Sequence, residues 1–234
     1  LEEEQEDVNK NKTKLQKVKD ANVYTNNISI LERQISTLSS QGIHDICIIT
    51  GYKEEKIRAL GYKTCINHDY LSTNMVSSLF CAKDFFESLK EDLVISYGDI
   101  VFEKENLQIL LRSMSPIACM IDRGWKQLWS LRNENPLDDA ETLVVDSDDN
   151  IIEIGKKPKN FEKIDGQYTG LIKINKNYVK KLIDFYYSLD KKSIYDGQNF
   201  KNMYMTSFLQ ELINNNWTIK ASYVQNGWLE VDSV

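Results

Sequence analysis

Two aspartates that close apolar runs are the residues of this chain best suited to chemistry. Leu93-Val-Ile-Ser-Tyr-Gly-Asp99 and Trp228-Leu-Glu-Val-Asp232 each read as a short strand that stops on a carboxylate. Carboxylates on neighbouring strand ends can hold one Mg²⁺, a hard cation that takes oxygen ligands and shares them with substrate phosphates. A metal held in this way spreads the charge that develops on phosphoryl oxygens, which is what nucleotidyl transfer needs. Taken singly, either aspartate is more simply a strand terminator, so the reading depends on the segments between them.

Those segments alternate strand and helix. Ser29-Ile-Leu-Glu32 is a capping box. Leu31, Ile35 and Leu38 then share one helical face, and Gly42 closes the helix. Ile46-Cys-Ile-Ile-Thr50 is a continuous apolar run, the pattern of a parallel strand covered on both faces. A short helix ends near Gly61, and a strand is predicted over 63–67. Asn74 opens a helix with Met75, Leu79, Ala82 and Phe86 inward. A strand over 92–98, a helix over 104–113 and a strand over 117–122 complete a doubly wound pattern. After residue 123 the pattern turns β-rich. A hairpin is predicted over 142–156 about Ser-Asp-Asp-Asn, and a strand over 168–174. Amphipathic helices follow near 176–189 and 203–214. The ending, 218–224 and 228–231 about Asn226-Gly227, reads as a second strand pair. The expected fold is therefore α/β, a Rossmann-like mixed sheet with a small β-rich insertion lobe at about 123–175. Residues 1–22 form a polar segment, helical or disordered, ahead of a domain over 23–234.

Composition limits the partners. The 234 residues are 41% hydrophobic, enough for a full core. The net charge of -6, with no basic stripe, argues against duplex nucleic acid. No run approaches the ~20 apolar residues of a membrane span, and no signal peptide is visible. Cys47, Cys65, Cys81 and Cys119 match no zinc spacing. Three of them, Cys47, Cys81 and Cys119, lie in apolar runs and read as buried free thiols, which suggests a reducing, cytoplasmic setting. His44 and His68 are far apart and carry no assigned chemistry.

The ordered segments resemble the nucleotidyltransferases that make CDP-activated phosphoamines: the phosphocholine, 2-aminoethylphosphonate and phosphoglutamine cytidylyltransferases. The resemblance rests on Ile30-Leu-Glu-Arg-Gln-Ile35, Ile49-Thr-Gly-Tyr52, Thr73-Asn-Met-Val-Ser-Ser-Leu79 and Tyr97-Gly-Asp-Ile-Val101. It continues through Trp129, Asn135-Pro-Leu-Asp-Asp-Ala-Glu-Thr142, Ile154-Gly-Lys-Lys157, Gln167-Tyr-Thr-Gly-Leu171, Asn202-Met-Tyr-Met-Thr-Ser-Phe208 and Trp228-Leu-Glu-Val-Asp232. It covers about residues 24–234, and the joint order of the segments is what is specific.

The resemblance implies a nucleotide lying across the carboxyl ends of the strands. It implies in-line attack of a phosphate or phosphonate oxygen on the α-phosphorus of CTP, with release of pyrophosphate. By match, Asp99 and Asp232 hold Mg²⁺. Asn74, Ser78 and Gly98 border the nucleotide, although Asn74 reads equally as an ordinary helix cap. Lys156, more than Lys157, reaches the acceptor phosphate, against the alternative of a solvated strand end. Asp139 and Glu141 neutralise a substrate ammonium. Trp129, Tyr168 and Trp228 offer ring faces worth ~1–2 kcal/mol each to a desolvated cation, with plain core packing as the alternative.

Family members also open with an apolar strand, a Gly-x-Gly-x-Arg loop that holds the triphosphate, and Pro-Lys. Here no glycine precedes Gly42, no proline precedes Pro116 and no apolar strand precedes residue 23. Relatives also continue into a helix beyond the position of Asp232. A fragment with both ends missing is the expectation. A diverged non-catalytic form and a strand supplied by another polypeptide are the alternatives; Lys12, Lys14, Lys17 and Lys19 are weak substitutes as phosphate ligands. Without that strand, two exposed strand edges and a slot in the core are expected. The function expected is CMP transfer from CTP to a small phosphorylated or phosphonate amine. The alternatives are a catalytically silent nucleotide- or phosphoamine-binding domain of a larger fusion protein and a hexose-1-phosphate nucleotidyltransferase. Acceptor identity, self-association and membership of a multidomain protein stay open.

Overall fold

The computed structural model describes residues 24–25, 28–132 and 134–231. The polar segment 1–22, with Lys12, Lys14, Lys17 and Lys19, and Asp232 lie outside the described residues. Two short strands, β1 (Tyr24–Thr25) and β2 (Ile28–Ser29), lead into α1 (Ile30–Ser40). Then come β3 (Cys47–Thr50), α2 (Glu54–Arg58), β4 (Lys63–Ile66), α3 (Met75–Phe80) and α4 (Lys83–Ser88). β5 (Leu93–Ser96), β6 (Ile100–Phe102), α5 (Lys104–Leu111), β7 (Ile117–Asp122) and α6 (Trp125–Arg132) follow. The β-rich part holds β8 (Leu143–Val145) and β9 (Ile151–Ile154), and β10 (Gln167–Ile174) returns to the sheet. The chain continues through α7 (Lys176–Ser188), β11 (Ile194–Tyr195), β12 (Gln198–Asn199), α8 (Met205–Asn214), β13 (Ile219–Val224) and β14 (Trp228–Glu230).

The central sheet has the order β13-β7-β10-β5. β13 runs parallel to β7, and β10 is antiparallel to both β7 and β5. Every residue of β7 is buried, and its side chains alternate between the two faces. Ile117, Cys119 and Ile121 enter a large core with α3, α4, α7 and α8. Ala118 and Met120 enter a second core with α5, α6, β6 and β14. Helices therefore cover both faces, as the alternating pattern predicted. The capping box of α1 forms as read: the Glu32 amide donates to Ser29 Oγ at 3.2 Å and the Ser29 amide to Glu32 Oε2 at 2.8 Å.

Several sequence expectations change. The helix predicted from Asn74 is two short helices, broken at Cys81–Ala82, although Leu79, Ala82 and Phe86 are buried as expected. The last two strands do not pair with each other. β13 joins β7, while β14 crosses to pair antiparallel with β6. The turn between them, Asn226-Gly227, has both φ angles positive, and Asp122 Oδ1 accepts from the Asn226 amide at 2.9 Å, so β14 is steered away. β10 lies between β7 and β5, so the part of the chain that leaves the sheet runs over 123–166. Cys81 is exposed, and Cys47 and Cys65 are half-buried, their sulfurs 3.2 Å apart as free thiols; only Cys119 is fully buried. Both histidines are exposed.

β3 is half-covered, not sealed on both faces. Among the described residues its ladder partner is β4, and that of β5 is β10. A cavity of about 750 Å³ is lined by Ile48 and Ile49 of β3, Val94 and Ile95 of β5, Leu31 of α1 and Leu79 of α3. Among the described residues this cavity lies where the sequence reading expected a slot in the core. No described helix is long and apolar enough to cross a membrane.

Candidate functional site

The aspartate bend is built from three directions. β5 ends at Ser96, the chain turns through Tyr97-Gly98-Asp99, and β6 begins at Ile100. Gln34 reaches in from α1, its Nε2 donating to the carbonyls of Tyr97 at 2.8 Å and Ile100 at 2.5 Å. On the third side the Val231 amide donates to the Asp99 carbonyl at 2.9 Å, extending the ladder in which Glu230 pairs with Ile100. The residue after Val231 is Asp232. The two acidic strand ends, over 130 positions apart in sequence, thus meet at one hydrogen bond.

The same cavity that separates β3 from β5 is bordered at this end by Asn74, Ser78, Gly98, Asp99 and Glu230. Asn74 caps α3, its Oδ1 accepting from the Met75 amide at 2.8 Å, and its own amide is tied to the Lys201 carbonyl at 2.9 Å. Ser78 belongs to a buried network in which Asn67 Nδ2 donates to Ser78 Oγ at 2.9 Å and to Thr73 Oγ1 at 2.8 Å. The cap reading of Asn74 is therefore satisfied, and the residue still lines the cavity. An added Cβ at Gly98 would meet no atom within 4 Å, so crowding within the chain does not demand a glycine there. The donors fit a hard cation. Asp99 and Glu230 supply carboxylate oxygens, and no cluster of three or more metal-binding side chains is assembled among the described residues.

The remaining predicted residues lie in the segment beyond β7. Tyr97 joins the two regions: its ring meets Tyr168 edge-on at 5.9 Å, and its hydroxyl donates to Met75 Sδ at 3.0 Å. Burial pushes both tyrosine pKa values up, so both rings stay neutral. Glu141 is fixed through its backbone by Gln167, which accepts from its amide at 3.0 Å and donates to its carbonyl at 2.7 Å. Its side chain keeps a solvent-facing side while the carboxyl is recessed. That desolvation, then Asp139 and Asp196, raise its pKa, with Lys157 opposing. Asp139 is exposed beside it.

Lys156 turns back along β9 to pair with Glu153 at 3.1 Å. Lys157 instead donates to the carbonyls of Leu137, at 2.8 Å, and Asp138, on the Glu141 side. Trp129 and Trp228 are 5% and 4% exposed and stack on each other at 6.0 Å within the second core. The cation over the Trp129 ring is the chain's own Arg132, at 5.8 Å. Their reading as ring faces for a substrate gives way to core packing, because buried aromatic area is worth more to a domain of this size than an exposed face. Tyr168 is the ring that stays by Glu141. The sequence reading assigned no role to Gln34. Its signal was a polar residue on the apolar stripe of α1, between Leu31, Ile35 and Leu38.

No protein-family profile matches the chain. It is 40% identical over 214 residues to the CTP:phosphoglutamine cytidylyltransferase of Campylobacter jejuni subsp. jejuni serotype O:2, covering 88% of this chain and 84% of that protein. Its fold is that of the inositol-1-phosphate CTP transferase from T. maritima, with TM-score 0.65, 15% identity, and coverage of 90% of this chain and 79% of the other. It is also that of the CTP:phosphocholine cytidylyltransferase from Streptococcus pneumoniae, with TM-score 0.60, 19% identity, and coverage of 92% and 85%. The meeting of two acidic strand ends at the edge of a cavity, on a mixed sheet of this topology and with this degree of identity, has one reading: the chain belongs to the cytidylyltransferases, nucleotidyltransferases of Rossmann-like fold.

Proposed function

We propose that this chain transfers CMP from CTP to a small phosphorylated amine, with phosphoglutamine as the first acceptor to test. A phosphate oxygen of the acceptor forms a bond to the α-phosphorus of CTP, the bond from that phosphorus to the bridging oxygen breaks, and pyrophosphate leaves. The observation that supports this reading is the hydrogen bond from the amide of Val231, the residue before Asp232 in the sequence, to the Asp99 carbonyl. Asp99 and Asp232 would hold Mg²⁺, which when bound offsets the charge developing on the phosphoryl oxygens. Gly98 leaves room for a nucleotide to approach the backbone, and Asn74 and Ser78 offer polar contacts on the facing helix. At the acceptor end, Asp139 and Glu141 make a negative field suited to an ammonium, and Tyr168 supplies a neutral ring beside it. A lysine at 156 or 157 would meet the acceptor phosphate; the direction of Lys157 supports that residue. A phosphonate such as 2-aminoethylphosphonate presents the same charges and is the natural competitor.

The test is pyrophosphate release with CTP and Mg²⁺ against phosphoglutamine, phosphocholine and 2-aminoethylphosphonate. Turnover with one of them, lost by about 100-fold or more in Asp99→Ala with thermal unfolding unchanged, is expected. Wild-type turnover in Asp99→Ala would remove the metal assignment. A folded protein that releases pyrophosphate with none of the three would leave a binding domain in place of an enzyme.

A further inference from the structure

Two buried carboxamides hold the β6–β14 ladder, one at each end, and they do so in the same way. At the Asp99 end Gln34, 6% exposed, spends both N–H groups of its Nε2 on the carbonyls of Tyr97 and Ile100, which flank the Gly98-Asp99 bend. At the far end Asn106 of α5, 7% exposed, spends both on the carbonyls of Asn226 and Gly227, at 2.8 and 2.9 Å, where β14 begins. The register puts the first clamp beside the Ile100–Glu230 pair and the second beside Phe102–Trp228. The bonds are alike in number, burial and chemistry, and they differ in what lies between the clamped carbonyls. Gln34 brackets a carboxylate-bearing residue, while Asn106 brackets a turn.

We propose that Gln34 is the positioning residue for the Asp99 carboxylate. The inference rests on the reading of Asp99 as a metal ligand. A bend of three residues between strands has few internal restraints, and glycine at position 98 loosens it further. Fixing both flanking carbonyls from a rigid helix sets the direction in which the Asp99 side chain leaves the chain. Outer-shell partners of metal-binding carboxylates act in this way, and their loss typically weakens metal binding by 10–100-fold. Gln34 lines the same cavity, but its Nε2 is spent on the two backbone carbonyls, so its action on the ligand runs through the bend.

The experiment measures Mn²⁺ affinity by electron paramagnetic resonance in the presence of CTP, which needs no turnover. Gln34→Met keeps the length and bulk of the side chain and removes both donors; Gln34→Leu, a second variant should the first fail to fold, also cannot donate. Asn106→Ala is the structural control, and Asp99→Asn is the reference. Gln34→Met is expected to weaken Mn²⁺ binding about tenfold, and Asn106→Ala by no more than about twofold while lowering the thermal midpoint at least as far. Equal weakening in the two variants, or wild-type affinity in Gln34→Met, would reduce the clamp to an ordinary structural bond. If Asp99→Asn itself leaves Mn²⁺ affinity unchanged, the metal reading falls and takes this inference with it; if Asp99→Asn weakens binding and Gln34→Met does not, only the clamp is lost.

Discussion

β7 and β3 are both short runs of isoleucine, cysteine and small residues, and the fold treats them in opposite ways. β7 has a strand on each side and helices on both faces, and every one of its six residues is buried. β3 has β4 on one side and the cavity on the other, and three of its four residues are half-exposed. The difference is one of neighbours. A strand is sealed by ladder partners and covering helices, and its own composition sets only whether it can be sealed. The candidate metal end lies where the two regions meet, at the tip of β5, whose one edge is in the sheet and whose other faces the cavity.

The contrast can be broken at several points. The largest effect is expected in the sealed region: Ile121→Ala should cost about 3–4 kcal/mol in urea unfolding, because Ile121 is fully buried in β7. Next is Gly170, which has φ +82° in β10 and where an added Cβ would stand 2.7 Å from the Tyr97 ring. Gly170→Ala should cost about 2 kcal/mol and disturb the Tyr97–Tyr168 contact, read by stability and by acceptor KM together.

A third test uses the ion pair at the closed end of the cavity. Buried Lys173 meets Asp92 at 2.9 Å and also donates to the carbonyls of Leu111 and Ser113. Burial alone would raise the Asp92 carboxyl, but the hydrogen bonds from Lys173 and from the Lys176 amide outweigh it and hold its pKa below the usual carboxylate value. A depressed carboxylate contributes stability above its unfolded pKa and loses it as pH falls through the folded value. Wild-type stability should therefore drop below about pH 4, and Lys173→Met should flatten that part of the profile. The smallest effect belongs to the open region: Ile48→Ala should cost roughly 1 kcal/mol, since the side chain is already half-exposed. Equal costs at Ile48 and Ile121 would mean that the cavity is closed in solution.

Glu141 adds a functional counterpart. Its raised pKa means that it keeps its proton to a higher pH than an ordinary glutamate. Affinity for a cationic acceptor should fall as pH drops through that value, and Glu141→Gln should remove the dependence while leaving the CTP KM nearly unchanged.

Much of this was legible in the chain, for identifiable reasons. The capping box at Ser29 and Glu32 and the stripe Leu31, Ile35, Leu38 depend only on residues within a turn or two, so local pattern sufficed. Asp99 could be singled out only together with the segments that resemble the family, because a carboxylate at the end of an apolar run is by itself more simply a strand terminator. The fates of Trp129 and Trp228 were not legible, because a tryptophan in a core and one in a binding site look alike until their neighbours are known. Nor was the direction of β14: Asn226-Gly227 signals a turn, but the choice of β6 over β13 as partner is made by Asp122 and Asn106, more than a hundred residues away.

The sequence by itself determined the alternation of strands and helices, the two acidic strand ends and the membership of a nucleotide-transferring family, all of which rest on residue type and order. Only the tertiary structure decided that Val231 would bond to Asp99, that Gln34 would clamp the bend between β5 and β6, and that the tryptophans would face inward. These are contacts between residues far apart in the chain, and their energies depend on burial and direction, which no local pattern encodes.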